Sequence, residues 1–181
     1  MVGKQLPTLE DANIEEGTVV FVRIDCNVPL NEDGTIADTY RLDSVVETFE
    51  YLKNKKAKII IAGALGRPKG KRDESLTTKV VAQYFQDNVF EKCVYSDQCI
   101  GDDVKNLVVN TKNSNAVMLE NLRFFEGEES NDENFAKNLS ELAEVYVNDA
   151  FGQSHRKQAS IVGITKYLPS FAGKCLQREV E

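Results

Sequence analysis

Histidine is almost missing from this 181-residue sequence, with one copy, and the four cysteines, Cys26, Cys93, Cys99 and Cys175, form no CxxC pair. A zinc site built from the usual nitrogen and sulfur ligands is thereby disfavoured, and no metal is expected on this chain. Cys26 and Cys93 lie in apolar strand-like runs and read as small buried hydrophobes rather than catalytic thiols, in a reducing compartment. No apolar run approaches membrane-spanning length, and residues 1–7 lack the apolar stretch of a signal peptide, so a cytoplasmic protein with no membrane partner is expected. Positive charge is also scarce: 22 Lys and Arg face 29 Asp and Glu, a net charge of −7. That balance argues against a nucleic-acid partner, while leaving room for a local basic pocket. Two nucleotide signatures fail as well. A P-loop would need glycine where Leu65 stands and a hydroxyl where Arg72 stands, and no Gly-x-Gly-x-x-Gly follows the first strand-like run.

What is present is alternation. Five short runs rich in β-branched residues, at 19–24, 58–62, 93–96, 116–119 and 145–147, suit a parallel sheet covered on both faces. Between them, residues 41–53 place Leu42, Val45, Val46, Phe49 and Leu52 at helical spacing, and Val80, Val81, Tyr84 and Phe85 repeat the pattern. Ser130-Asn131-Asp132-Glu133 has the form of a capping box ahead of Phe135, Leu139 and Leu142. The expected fold is α/β, a doubly wound three-layer α/β/α domain with a mainly parallel, Rossmann-like sheet. The chain is long enough for one large domain with a core that needs no disulfide. Residues 168–181 begin a helix and stop, as a linker does.

In such sheets ligands bind beyond the carboxyl ends of the strands. Asp25, Asn27 and Pro29 follow the first run, Arg67 lies in a glycine-rich loop after the second, Arg123 follows the fourth, and His155 and Arg156 follow the fifth. Of seven arginines in the sequence, Arg67, Arg123 and Arg156 thus fall on one expected edge, and Arg41 can reach the same rim. Guanidinium forks bind phosphate or carboxylate oxygens in pairs, and glycine admits close backbone approach, so the edge reads as a receptor for a small polyanion. Taken singly, each residue has a plainer reading. An arginine can pair with a neighbouring acid, Asp25 and Asn27 can form the turn before Pro29, and His155 can make a structural hydrogen bond.

Four stretches carry a resemblance to the N-terminal half of the phosphoglycerate kinase family. Val22-Arg23-Ile24-Asp25-Cys26-Asn27-Val28-Pro29 resembles the family's Val-Arg-Val-Asp-Phe-Asn-Val-Pro, and Leu65-Gly66-Arg67-Pro68-Lys69-Gly70 resembles the core of its Ser-His-Leu-Gly-Arg-Pro-Lys-Gly loop. Leu119-Glu120-Asn121-Leu122-Arg123-Phe124, and Asn148-Asp149-Ala150-Phe151-Gly152 with His155-Arg156, resemble two further signatures in the same order. The resemblance implies a monomeric glycolytic phosphotransferase. Its N-terminal half binds 3-phosphoglycerate or 1,3-bisphosphoglycerate, and its C-terminal half carries Mg-ATP or Mg-ADP.

By the same resemblance Asp25 and Asn27 contact the glycerate end, Arg41 covers the phosphoryl group in flight as the catalytic residue, and Leu65, Gly66, Arg67, Arg123 and Arg156 hold substrate. Arg23 and His155 would complete a basic patch. Residues 1–170 would be the substrate domain and 171–181 the start of a hinge, with the nucleotide domain absent and little turnover by the chain alone. Two departures stand out: Gly63-Ala64 replaces Ser-His, and Gln158 replaces a second histidine. Loss of a hydrogen bond at Ala64 implies acceptor binding weaker by about 1–3 kcal/mol. A non-catalytic anion-binding module of the same fold is the alternative.

Overall fold

A computed structural model describes residues 6–181. The chain runs β1 (Val19–Ile24), α1 (Tyr40–Asp43), α2 (Val46–Asn54), β2 (Lys58–Ala62), α3 (Lys79–Asn88), β3 (Cys93–Tyr95), α4 (Asp102–Asn110), β4 (Ala116–Met118), α5 (Glu126–Glu129), α6 (Glu133–Ser140), β5 (Val145–Asp149), β6 (Ser170–Ala172) and α7 (Lys174–Val180). The strands lie in the order β3-β4-β2-β1-β5-β6, and every neighbouring pair is parallel.

Successive side chains of a strand point to opposite faces, so an all-apolar run requires a cover on each. Val20, Val22, Ile59, Ile61 and Met118 pack on one face with Leu42, Phe49, Leu52 and Phe85 of α1, α2 and α3. Phe21, Ile60, Val117 and Tyr146 pack on the other with Val104, Val108, Phe135 and Leu139 of α4 and α6. The result is the expected three-layer, doubly wound arrangement. No helix among the described residues is long and apolar enough to cross a membrane.

The local differences have identifiable causes. Residues 41–53 form two helical pieces, α1 and α2, rather than one. Ser44 Oγ donates back to the Arg41 carbonyl, and the Ser44 carbonyl accepts from Arg178 of α7 at 3.0 Å, which draws the backbone away from a regular ladder. The cap of α6 is Asp132, whose carboxylate accepts from Phe135 N at 2.7 Å, while Ser130 donates to the Glu126 carbonyl at the end of α5. The linker-like segment contributes a sixth strand, β6, paired with β5, so the 170/171 boundary falls inside a strand.

Asp149, the last residue of β5, ties three elements together. Its Oδ1 accepts from Leu176 N at 2.9 Å and its Oδ2 from the Thr48 hydroxyl at 2.6 Å, while Thr48 Oγ1 accepts from Lys174 N at 2.8 Å. A Cβ on Gly173 would stand 2.3 Å from Asp149 Cγ, so the turn into α7 demands glycine. Burial pushes the Asp149 carboxyl up to about 6 against these hydrogen bonds. An acid raised on folding favours the folded state fully below its unfolded pKa, near 3.8, and that contribution is lost as pH rises through about 6. D149N is therefore expected to gain about 1–3 kcal/mol relative to the parent between pH 4 and 7. Urea midpoints of both proteins across that range check it, and a pH-independent difference refutes it.

Candidate functional site

The loops that leave the carboxyl ends of β1, β2, β4 and β5 are tied to one another by side chains the strands deliver there. Asn27 Oδ1 accepts from Gly66 N at 2.8 Å, joining the β1 and β2 loops. Asn121, buried just after β4, accepts from Leu65 N at 3.2 Å and donates to the Leu65 and Leu76 carbonyls at 2.7 and 2.9 Å. Arg123 Nη1 donates to the Gly66 carbonyl at 2.6 Å. Gly66 adopts φ +62°, and a Cβ there would meet Leu76 Cδ2 at 2.6 Å, so this corner is open only to glycine.

These bonds separate the expected site residues into groups. Leu65 is buried, and its N–H and carbonyl, like those of Gly66, are occupied within the protein. Both residues therefore shape the loop rather than present free donors to a ligand. Arg23 has no exposed surface and is absent from the rim. Its guanidinium donates to Ser160 Oγ at 2.8 Å, to Gln153 Oε1 at 2.7 Å and to the Ile24 carbonyl, and lies 4.0 Å from the buried Glu128. Its position on β1 explains this: Arg23 shares the parity of Phe21, the face covered by α6, so it points inward. Arg72, five residues beyond Arg67, pairs with Glu74 and with buried Glu120 at 3.1 Å.

Asp25, partly buried, and Arg41, half exposed, form an ion pair. They border a hollow of about 330 Å³ together with Asp149, Phe151 and Gly152, between the carboxyl ends of β1 and β5. Connections leave those two strands in opposite directions, so this is the switch point of the sheet. Arg67, Arg123 and Arg156 lie outside this hollow.

Those three arginines have no carboxylate within ion-pair distance among the described residues. Arg67, Arg156 and His155 are exposed, whereas Arg123 is 6% exposed and its Nε has no partner. Burial, then the positive charges of Arg156 and Arg23, lower the Arg123 pKa. The charges of Arg156 and Arg23 thus outweigh the opposing pull of Glu129 at Arg123, which forms no ion pair of its own among the described residues.

Ala64 is fully buried, and Gln158 is buried with its Oε1 unpartnered. A Cβ on Gly63 would stand 2.4 Å from Cys26 Sγ, so the small residue at 63 and the buried thiol are a packed pair. Burial pushes the Cys26 thiol up to about 12, which keeps it protonated and inert. Among the described residues no group of three or more His, Cys, Asp and Glu side chains gathers to share a metal.

The architecture defines a doubly wound α/β domain whose polar loops lie at the carboxyl ends of its strands. Within that class the chain belongs to the phosphoglycerate kinase family, whose family model, Phosphoglycerate kinase, matches residues 9–181. It is 44% identical over 177 residues to a phosphoglycerate kinase of Prochlorococcus marinus (strain MIT 9515) and 40% identical over 176 residues to that of Coprothermobacter proteolyticus, covering 97% of this chain and 44% of each relative. The structure of phosphoglycerate kinase from Pyrococcus horikoshii OT3 superposes with a TM-score of 0.87 at 30% identity over 97% of this chain and 44% of that one. The enzyme from Coxiella burnetii gives the same TM-score and identity over 98% of this chain and 44% of its own. The chain thus spans less than half the length of these relatives.

Sequence reasoning passed over Asn121, Gln153 and Glu128. Asn121 carried a signal, since it lies between Glu120 and Arg123 directly after a strand. Gln153 and Glu128 carried none, because their partners are distant in the chain.

Proposed function

We propose that this chain is the acceptor-binding part of a phosphoglycerate kinase. The whole enzyme would transfer a phosphoryl group reversibly between 1,3-bisphosphoglycerate and ADP. The observation that carries the reading is Arg123, a buried guanidinium with an orphaned Nε, no carboxylate within ion-pair distance among the described residues, and cations whose effect on it exceeds that of Glu129. A buried charge without a counter-charge is costly, and an anionic ligand supplies one. Arg67, Arg123 and Arg156 would grip the phosphate that stays on the acceptor, with His155 at the edge of the patch. Asp25 and Asn27 would face the glycerate hydroxyl and carboxyl end.

Arg41 would leave Asp25 to cover the phosphoryl group in transfer, where its contribution is positioning and charge stabilisation. Mg-ATP or Mg-ADP would bind on the part of the enzyme outside this chain, with the substrate domain running through β6 and α7 leading toward that part. The intact enzyme would act as a cytoplasmic monomer, and this chain alone would turn over little.

Backbone amide shifts test the assignment. Addition of 3-phosphoglycerate is expected to move the amides of Asn27, Arg67, Arg123 and Arg156, and ATP alone to leave them in place. Movement with ATP and none with 3-phosphoglycerate would contradict it.

A further inference from the structure

Gln153 is 5% exposed and stands between two charged side chains of opposite sign. Its Oε1 accepts from Arg23 Nη2 at 2.7 Å, and its Nε2 donates to Asp25 Oδ1 at 2.8 Å. A guanidinium can only donate and a carboxylate only accept, so the amide has one possible orientation. Arg23 is itself immobilised: its Nε donates to Ser160 Oγ, which donates to Glu128 Oε1 at 2.5 Å. A continuous polar chain therefore leads from buried Glu128 through Ser160, Arg23 and Gln153 to Asp25 and ends at Arg41.

Each oxygen of Asp25 has its own restraint. Oδ1 accepts from Gln153 and from Asn27 N at 3.1 Å, while Oδ2 accepts from Arg41. When Arg41 departs, Oδ2 becomes available, and Gln153 is the side chain that keeps the carboxylate aimed. We propose that Gln153 is a positioning residue for acceptor recognition, holding Asp25 so that its free oxygen accepts from the hydroxyl of the bound acid. This inference rests on the assignment of Asp25 to the glycerate end. It gives buried Arg23 a role through Gln153 rather than through contact with ligand.

The test uses the 181-residue chain with two ligands, 3-phosphoglycerate and 3-phosphopropionate, which lacks the hydroxyl, each titrated calorimetrically. Two variants are compared. Q153M removes both hydrogen bonds, and Q153E keeps an acceptor for Arg23 but has no donor for Asp25, so it preserves the buried end of the chain. Q153M is expected to bind 3-phosphoglycerate about tenfold more weakly, the loss of one hydrogen bond to a charged group, and the deoxy ligand as the parent does; Q153E, whose added charge repels either anion, is expected to lose the same tenfold in the preference for 3-phosphoglycerate over the deoxy ligand. A merely structural role would weaken both ligands together. If the parent prefers 3-phosphoglycerate and either folded variant retains the full preference, the positioning role is overturned while the Asp25 assignment stands. If the parent itself shows no preference, the Asp25 assignment fails and this inference with it.

Discussion

Replacement of Arg23 by methionine is expected to destabilise the protein by about 3–5 kcal/mol, the usual consequence of removing one partner from a buried ionic cluster. The substitution leaves Glu128 buried without its cation and strips Ser160 Oγ and Gln153 Oε1 of their donor. Burial already raises the Glu128 pKa, with Arg23 opposing that shift. An acid whose pKa is raised by folding penalises the folded state increasingly as pH rises, so the deficit of R23M should widen with pH and narrow in acid, where Glu128 binds a proton. Urea denaturation at several pH values reads both features. A loss below about 1 kcal/mol, the range of an exposed pair, would show that the cluster is not an internal anchor.

Replacement of Arg123 by methionine is expected to act in the opposite way, on binding rather than folding. Affinity for 3-phosphoglycerate should fall by about two to three powers of ten, the cost of deleting one partner of a desolvated charge pair. Folding should change by about 1 kcal/mol or less. The lost hydrogen bond to the Gly66 carbonyl is offset by removal of a buried cation whose Nε has no partner and whose burial outweighs the pull of Glu129. Such a trade is the mark of a residue whose charge is set against a ligand instead of the rest of the protein. Calorimetric titration and urea midpoints on the same samples decide it. A large stability loss with affinity retained would make Arg123 a structural residue of the β2 and β4 loops.

Arg23 and Arg123 look alike in the sequence, each an arginine beside an apolar run, yet Arg23 lies beside buried Glu128 while Arg123 forms no ion pair among the described residues. The parity of β1 sends Arg23 to the face that α6 covers, where Ser160 and Glu128 arrive from far along the chain. Arg72 resembled Arg67 in the same loop, yet Glu120 neutralises it from β4's end. The three residues of β6 follow a proline and carry no periodicity of their own, and only pairing with β5 makes them a strand. Asp132 displaced Ser130 as the cap of α6 because Ser130 was already engaged with Glu126.

Local composition by itself determined the architecture and the edge at which the polar residues after each strand emerge. Runs of alternate-facing apolar residues with helical segments between them leave few ways to bury both faces, and polar residues directly after strands must emerge at the carboxyl ends. Tertiary structure alone decided which charges remain free. That choice depends on whether an acid or a carbonyl 40 to 140 positions away in the chain reaches each guanidinium, and neither spacing nor composition carries that distance.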